Sequence, residues 1–404
     1  MRKNLLNYLF VALCSVPLFT SCSDDNDNND NFVVCPVGDM VFTAANGLNL
    51  TYNGEPMIGK QVHFIPETYG TKARIILEGE PIDWNSLMGR SELSVPQAPG
   101  VLPGSASVTL DVDLTIEGEE CSFSGVSDTN YCTFKYEGKL SSGTMDLALT
   151  HVELKNAALA ATTWKLYPYN EEDHIDSPVH VVWKSEKDVE LFEDFEMPIE
   201  SILLLALSMP MIEEGDNAVS VAQKLGDVLQ DVTFRADGNI VATYKDAANG
   251  STAWETSPLN LVQYVVESDV QMRVFLNPQA VMAAAARAAR VARENNAGGI
   301  DGAMQQALIA LQTLVVEGVP LAYTQEGDNL SVFLDENVLL PLLKGIVIPF
   351  LQDEKLINVI VEEIAKDPTW GSMSGMVVGA LQSLPEVINK TSKLEIGLNL
   401  VKAQ

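Results

Sequence analysis

Only four histidines stand in this 404-residue chain: His63, His151, His174 and His180. His63 and His151 fall in β-rich segments far apart in sequence. His174 and His180 flank Ile175-Asp176-Ser177-Pro178. With Asp173 or Asp176 they have the types to hold a metal ion. Their spacing suits neither a helical i, i+4 pair nor a strand i, i+2 pair. They read as solvated loop histidines, and no metal is expected. Acidic pairs are common, among them Asp111/Asp113, Glu119/Glu120 and Glu213/Glu214. A glycosidase needs two carboxylates facing each other across a cleft. Asp111 and Asp113 instead share the wet face of one strand, and with 55 acidic residues chance pairs are expected. No GxSxG, HExxH, phosphate-loop or dinucleotide glycine pattern occurs. The expectation is a protein without catalytic residues or cofactor, not an enzyme.

Contact chemistry offers more. Trp254, in the loop before Ser257-Pro258, and Trp370, between Asp367-Pro368-Thr369 and Gly371, are the tryptophans best placed for stacking on a ligand. Trp164 and Trp183 open β-rich segments and read as core. Arg287, Arg290 and Arg293 recur every third residue on an Ala-rich helix, with Glu294 four residues after Arg290. In so acidic a chain that stripe is either an anion or partner contact or a solvated helix face.

Cys22 carries a different chemistry. Met1-Arg2-Lys3 and the apolar stretch Leu5 to Phe19 have the shape of a secretion signal and are too short to span a bilayer. The stretch ends in Leu18-Phe19-Thr20-Ser21-Cys22, a relaxed lipobox in which Cys22 becomes the acylated first residue. Residues 23–31 hold no apolar side chain and read as a disordered tether reaching to about residue 34. The expectation is an exported protein, lipid-anchored to the outer membrane, with exposure at the cell surface left open. Residues 1–21 contain two of the 25 basic residues and none of the 55 acidic ones, so the mature charge is −32. Nucleic acid is excluded as a partner, because phosphates need basic neutralisation. Beyond Cys22, the mature chain has Cys35, Cys121 and Cys132, an odd number that leaves at least one unpaired and the pairing open.

The elements that must position these residues divide the chain: signal 1–21, tether 22–34, an all-β domain 35–158 and a mixed domain 159–404. In the first, Val108 to Ile116 alternates at period two, and Cys121–Val126 and Tyr131–Tyr136 flank a turn. The alternation slips phase at Thr150-His151, which suggests a β-bulge. Six to eight antiparallel strands are expected, as a barrel or a sandwich. In the second, Asp237-Gly238 joins two strands as a hairpin, further hairpins turn at Ser268-Asp269 and around Gly327, and Lys393 to Leu400 alternates strictly. Helices are expected over 200–211, 218–229, 278–317, 338–350, 354–365 and 373–384. The apolar runs 199–211 and 338–350 are about 13 residues long and contain proline, which suits buried helices better than spans.

The Cys22 box with Ser23-Asp24-Asp25, Cys121–Gly125 with Thr133–Tyr136, and Thr233–Gly238 with Ser257-Pro258, Gln263-Tyr264 and Phe275–Pro278 resemble a family of uncharacterised Bacteroidota lipoproteins with calycin-like, that is lipocalin-like, β-barrel domains. The resemblance implies a mainly β protein with a helical component (α+β): an N-terminal antiparallel β-barrel or sandwich, then a lipocalin-like strand meander carrying large helical insertions. No functional residue carries over from it. Two functions stay open. One is a binding module for a small apolar or amphipathic molecule or a glycan. The other is a protein–protein scaffold or adhesion component. The membrane is the expected partner through the lipid anchor.

Overall fold

The computed structural model describes residues 35–68, 70–82, 97–169, 177–192, 195–210, 212–214, 217–245, 252–278, 314–352, 357–358, 361–362 and 374–403. The signal stretch, Cys22, the tether, Trp84, His174, the Arg287–Arg290–Arg293 stripe and Trp370 lie outside the described residues.

The described chain is mainly β with helices, and no sheet closes into a barrel. Residues 40–154 form two sheets. The first has four strands in the order Met40–Thr43, Lys60–Pro66, Lys72–Gly79, Ser107–Asp113. The second has six, in the order Glu55–Pro56, Leu48–Tyr52, Thr144–Leu154, Cys132–Ser141, Glu120–Asp128, Thr115–Glu117. Period-two patterning builds both. In Ser107–Asp113, Val108, Leu110 and Val112 are buried while Thr109 and Asp111 are exposed. The dry faces of both sheets belong to one apolar cluster that includes Phe42, Phe64, Ile75, Phe123 and Phe134.

Two expectations need correction here. The described strands number ten, not six to eight, and they do not form a simple antiparallel meander: Leu48–Tyr52 runs parallel to Thr144–Leu154. The cause is a crossing between sheets. The chain leaves the first sheet at Thr43, makes a single turn over Ala44–Asn46 and enters the second through Gly47. Gly47 has φ 103°, and a Cβ there would lie 2.3 Å from the Gly143 carbonyl oxygen, so only glycine fits the crossing. The β-bulge is present: the register shifts between Thr150 and Glu153, where His151 takes φ 50°.

Residues 162–402 supply a third sheet of ten strands. The path runs Glu255–Thr256, Ile240–Tyr244, Leu229–Phe234, Thr162–Leu166, Thr391–Lys402, Asn329–Leu334, Val319–Glu326, Gln271–Leu276, Val262–Ser268. Val179–Ser185 pairs with the same edge of Thr391–Lys402 as Thr162–Leu166 does, further along. The predicted hairpins at Asp237-Gly238, Ser268-Asp269 and Gly327 are all formed. The sheet curls until its two ends touch at a single bridge, Asn239 to Gln263, beside a hydrogen bond from Tyr264 N to Gly238 O of 2.8 Å.

Helices α1 (Ile199–Ser208), α2 (Val221–Val228), α3 (Glu336–Leu342), α4 (Ile348–Leu351) and α5 (Ser374–Asn389) are described. Ser220 caps α2, accepting from Gln223 N at 3.1 Å. Pro385, expected to follow the last helix, sits inside α5. A second apolar cluster, with Trp183, Val189, Leu191, Val387, Ile388 and Leu394 at its centre, packs α1, α3 and α5 on the sheet. No described helix is long and apolar enough to cross a membrane.

Among the described residues each sheet lies wholly on one side of residues 155–161, yet the main core runs through both halves, from Phe42 to Trp164, Tyr264 and Leu400. The Asp237-Gly238 hairpin tip is the clasp. Tyr52 Oη donates to Asp237 O at 2.6 Å, and Asn53 Nδ2 donates to Asp237 Oδ2 at 3.1 Å. Asn260 Nδ2 reaches Pro56 O at 3.1 Å, and Leu154 N reaches Ala236 O at 3.1 Å.

Candidate functional site

The helical segment 199–208 is apolar almost all round, and its spacing sorts the side chains into two stripes. Ile199, Ile202 and Leu203 pack into the second core. Ser201, Leu204, Leu205 and Ser208, at i, i+3, i+4 and i+7, share the other face. That face looks across a cleft of about 460 Å³ at Ser177, Val179, His180, Val181 and Asn399. Leu205 is 54% exposed. The opposite wall is the outer edge of Val179–Ser185. The helix also holds that edge directly, since Trp183 N donates to Glu200 Oε2 at 2.8 Å.

One end of the cleft is polar. His180, Gly397 and Phe333 lie side by side on three adjacent strands. With no side chain on Gly397, the His180 and Phe333 rings stack over it, 4.7 Å between centroids. A Cβ at Gly397 would lie 2.0 Å from Val332 O. Glu395, Gly397 and Asn399 share one face of the last strand by period two. His180 Nε2 meets Glu395 Oε2 at 2.9 Å, and His180 Nδ1 meets Asn399 Oδ1 at 3.2 Å. Asn399 is oriented by its Nδ2, which donates to Ser177 O at 3.0 Å, and its Oδ1 also accepts from Ser331 Oγ at 2.8 Å. Both imidazole nitrogens are thus engaged by neighbouring oxygens. Burial pushes the Glu395 carboxyl up, but hydrogen bonds from Lys393 and His180 outweigh it and hold the carboxyl below its usual range. With both nitrogens engaged, His180 has none free to take a proton from Ser201 or Ser208.

The reading of His180 as a solvated loop residue is therefore corrected. It lies in a strand, its side chain 17% exposed, because the pairing of Val179–Ser185 with the last strand sets it against Glu395 and Asn399. The signal available beforehand was the Glu395-x-Gly397-x-Asn399 alternation.

No family model, no curated protein and no solved structure matches this chain.

The remaining candidates are dispersed. Trp254 is 42% exposed in its loop, with Lys245 Nζ 4.4 Å from the ring centroid, and does not line this cleft. Trp164 and Trp183 are buried. His63 pairs with Asp39 at 2.6 Å. Asp111 pairs with Arg74 at 3.2 Å on the wet face, and Glu120 with Lys139 at 3.6 Å. Among the described residues no three His, Cys, Asp or Glu side chains converge to hold a metal ion.

Proposed function

We propose that this protein is an exported lipoprotein, anchored through Cys22, whose lipocalin-like second half is a non-enzymatic binding module for a small amphipathic molecule. The cleft between α1 and the edge of Val179–Ser185 carries the reading. Its volume of about 460 Å³ lies in the range of small-molecule sites, and its walls combine leucine and valine surface with a few fixed polar groups. The apolar part of a ligand lies along Leu204, Leu205, Val179 and Val181. Its polar end reaches His180 and Asn399. The chain's charge disfavours strongly anionic ligands at long range. The tether keeps the cleft close to the membrane, where amphipathic molecules concentrate.

The test uses the mature chain carrying Cys22→Ser, titrated with the neutral probe N-phenyl-1-naphthylamine and followed by its fluorescence. Saturable binding is expected, weakened at least tenfold by Leu204→Asp or Leu205→Asp. Leu205 is already half-exposed, so its substitution leaves the fold intact. Binding unchanged by both substitutions, or absent from the parent protein, refutes the proposal.

A further inference from the structure

A second cleft, of about 320 Å³, lies where the two halves meet, away from α1. One wall is loop 99–106 of the first half with Tyr131. The other is the strand pair Val262–Ser268 and Gln271–Leu276 with residues 316–317. Gln263 lies opposite Phe275 in that pair, so the two share one face of the sheet. Each wall carries an aromatic ring seated on a glycine. A Cβ at Gly104 would lie 2.4 Å from the Tyr131 ring, and one at Gly318 would lie 2.7 Å from the Phe275 ring. The glycines let both rings approach the backbone more closely than any side chain would allow.

Gln263, which lines the same cleft, carries an unmet polar demand. Gln263 is 5% exposed, and its Nε2 has no hydrogen-bond partner. Asn239, bridged to Gln263, and Asn260 each carry another buried amide atom without one, Nδ2 and Oδ1. Buried donors in native proteins are nearly always paired, so an unpaired amide nitrogen buried on a residue of the cleft wall marks a place where a small shift of the side chain would let something else supply the acceptor. The charges at the cleft are largely internal. Arg273 Nε donates to Glu267 Oε1 at 2.7 Å and its Nη1 to Glu317 O at 3.4 Å. Glu317 also lines the cleft.

We infer that this junction cleft binds a neutral sugar ring, as the end of a glycan. Pyranose rings offer C–H faces that stack on aromatic rings and a rim of hydroxyl or acetamido groups that both donate and accept. Tyr131 and Phe275 supply the stacking faces. Gln263 Nε2 donates to a ring oxygen, hydroxyl or acetamido carbonyl, and Glu317 accepts from a hydroxyl. The volume sits at the lower end for small-molecule sites, which fits one or two rings and not a long chain. A purely apolar ligand would leave Gln263 unpaired, and an anionic sugar would meet Glu317 and a chain of net charge −32. Loop 99–106 belongs to one half and Gln263 to the other, so the site exists only when both are docked. The site shares no residue with the α1 cleft, so it stands or falls independently of the amphipathic-ligand reading.

The experiment is saturation-transfer NMR and calorimetric titration of the mature Cys22→Ser chain with maltose, cellobiose, mannobiose, galactobiose and N,N′-diacetylchitobiose. At least one is expected to bind saturably, with dissociation constant in the millimolar range or below. Gln263→Leu and Phe275→Ala are expected to weaken that binding at least tenfold, and Leu205→Asp to leave it unchanged. Gln263→Leu removes an unpaired buried amide at nearly constant size, so it should fold at least as well as the parent, which circular dichroism checks. No binding by any of the five sugars, or binding insensitive to Gln263→Leu in a folded variant, overturns the inference.

Discussion

Among the described residues Lys60 is the only buried lysine, and it supports a wall of the junction cleft. It begins the strand Lys60–Pro66, 7% exposed, and its Nζ donates to Pro99 O at 2.7 Å. Burial pushes its ammonium down from 10.5 to about 8, although Glu80 nearby acts in the opposite direction. The unfolded chain holds this proton up to its ordinary value, while the folded chain releases it earlier. Between pH 8 and 10.5 the unfolded state therefore binds more protons, and stability from this group rises with pH; below pH 8 the full penalty of the buried charge is present. The whole shift corresponds to about 3 kcal/mol, of which roughly a third to a half is recovered between pH 7 and pH 9. Lys60→Met keeps the length of the stem and removes the titration. At pH 7 it gains the penalty and loses the donor to Pro99 O, worth about 1–3 kcal/mol, so it should be close to neutral or mildly stabilising. Urea unfolding followed by tryptophan fluorescence at pH 7, 8 and 9 gives the comparison. Burial also pushes the Cys121 thiol up, which lowers stability above pH 9, but this is common to both proteins and cancels in their difference. The wild type should gain about 1 kcal/mol on Lys60→Met across this range. A difference that stays constant with pH would show that Lys60 keeps an ordinary ammonium, and would refute the reasoning.

Three other outcomes follow. Cys35 Sγ and Cys121 Sγ lie 3.3 Å apart, while Cys132 sits against Thr129 Oγ1 at 3.4 Å, so diamide should link Cys35 to Cys121 and spare Cys132; a non-reducing peptide map showing Cys132 in the cross-link would contradict the packing. Asp237→Ala removes partners from Asn53 Nδ2 and from Asn239 N, the latter at 3.0 Å, and should cost about 3 kcal/mol in urea unfolding, with a loss under about 1 kcal/mol showing that the halves are held elsewhere. Mass spectrometry of the native N-terminus should find acylated Cys22, and an unmodified terminus would remove the anchor from the proposed function.

Local patterns were the readable part of this chain. Asp237-Gly238 announced a hairpin because a tight turn needs a residue that tolerates positive φ, and Gly238 takes φ 80°. Thr150-His151 announced its bulge because a one-residue slip reverses every later side chain. Trp164 and Trp183 were legible as core from their place in apolar alternation. The parallel pairing of Leu48–Tyr52 was not legible, because a crossing between sheets leaves only Gly47 as its mark, and glycine has many uses. Pro385 misled for a related reason: proline disfavours a helix interior, but the packing of Val387 and Ile388 in the second core holds the last turn in place.

The candidate sites were less legible than the fold, and the reason lies in how they are made. His180 and Glu395 are 215 residues apart, and Gln263 faces a loop more than 150 residues before it. Neither constellation has a spacing of its own to detect. Each arises from strand register, which brings ordinary residues into one row. His180 reaches Glu395 and Asn399 only because it pairs opposite Gly397 between them, and a one-residue slip would turn it to the other face. Gln263 reaches the junction cleft only because the third sheet curls far enough for the Asp237-Gly238 hairpin to bridge Val262–Ser268 at its other end. The residues singled out in advance for contact chemistry were aromatic and basic residues conspicuous by type, and the described one, Trp254, lines neither cleft. In a protein whose sites are assembled by pairing, the informative sequence feature is the glycine that lets two rows approach. Gly397 under His180 and Phe333, Gly104 under Tyr131 and Gly318 under Phe275 are three instances, and each marks a cleft wall that its own neighbours in sequence do not predict.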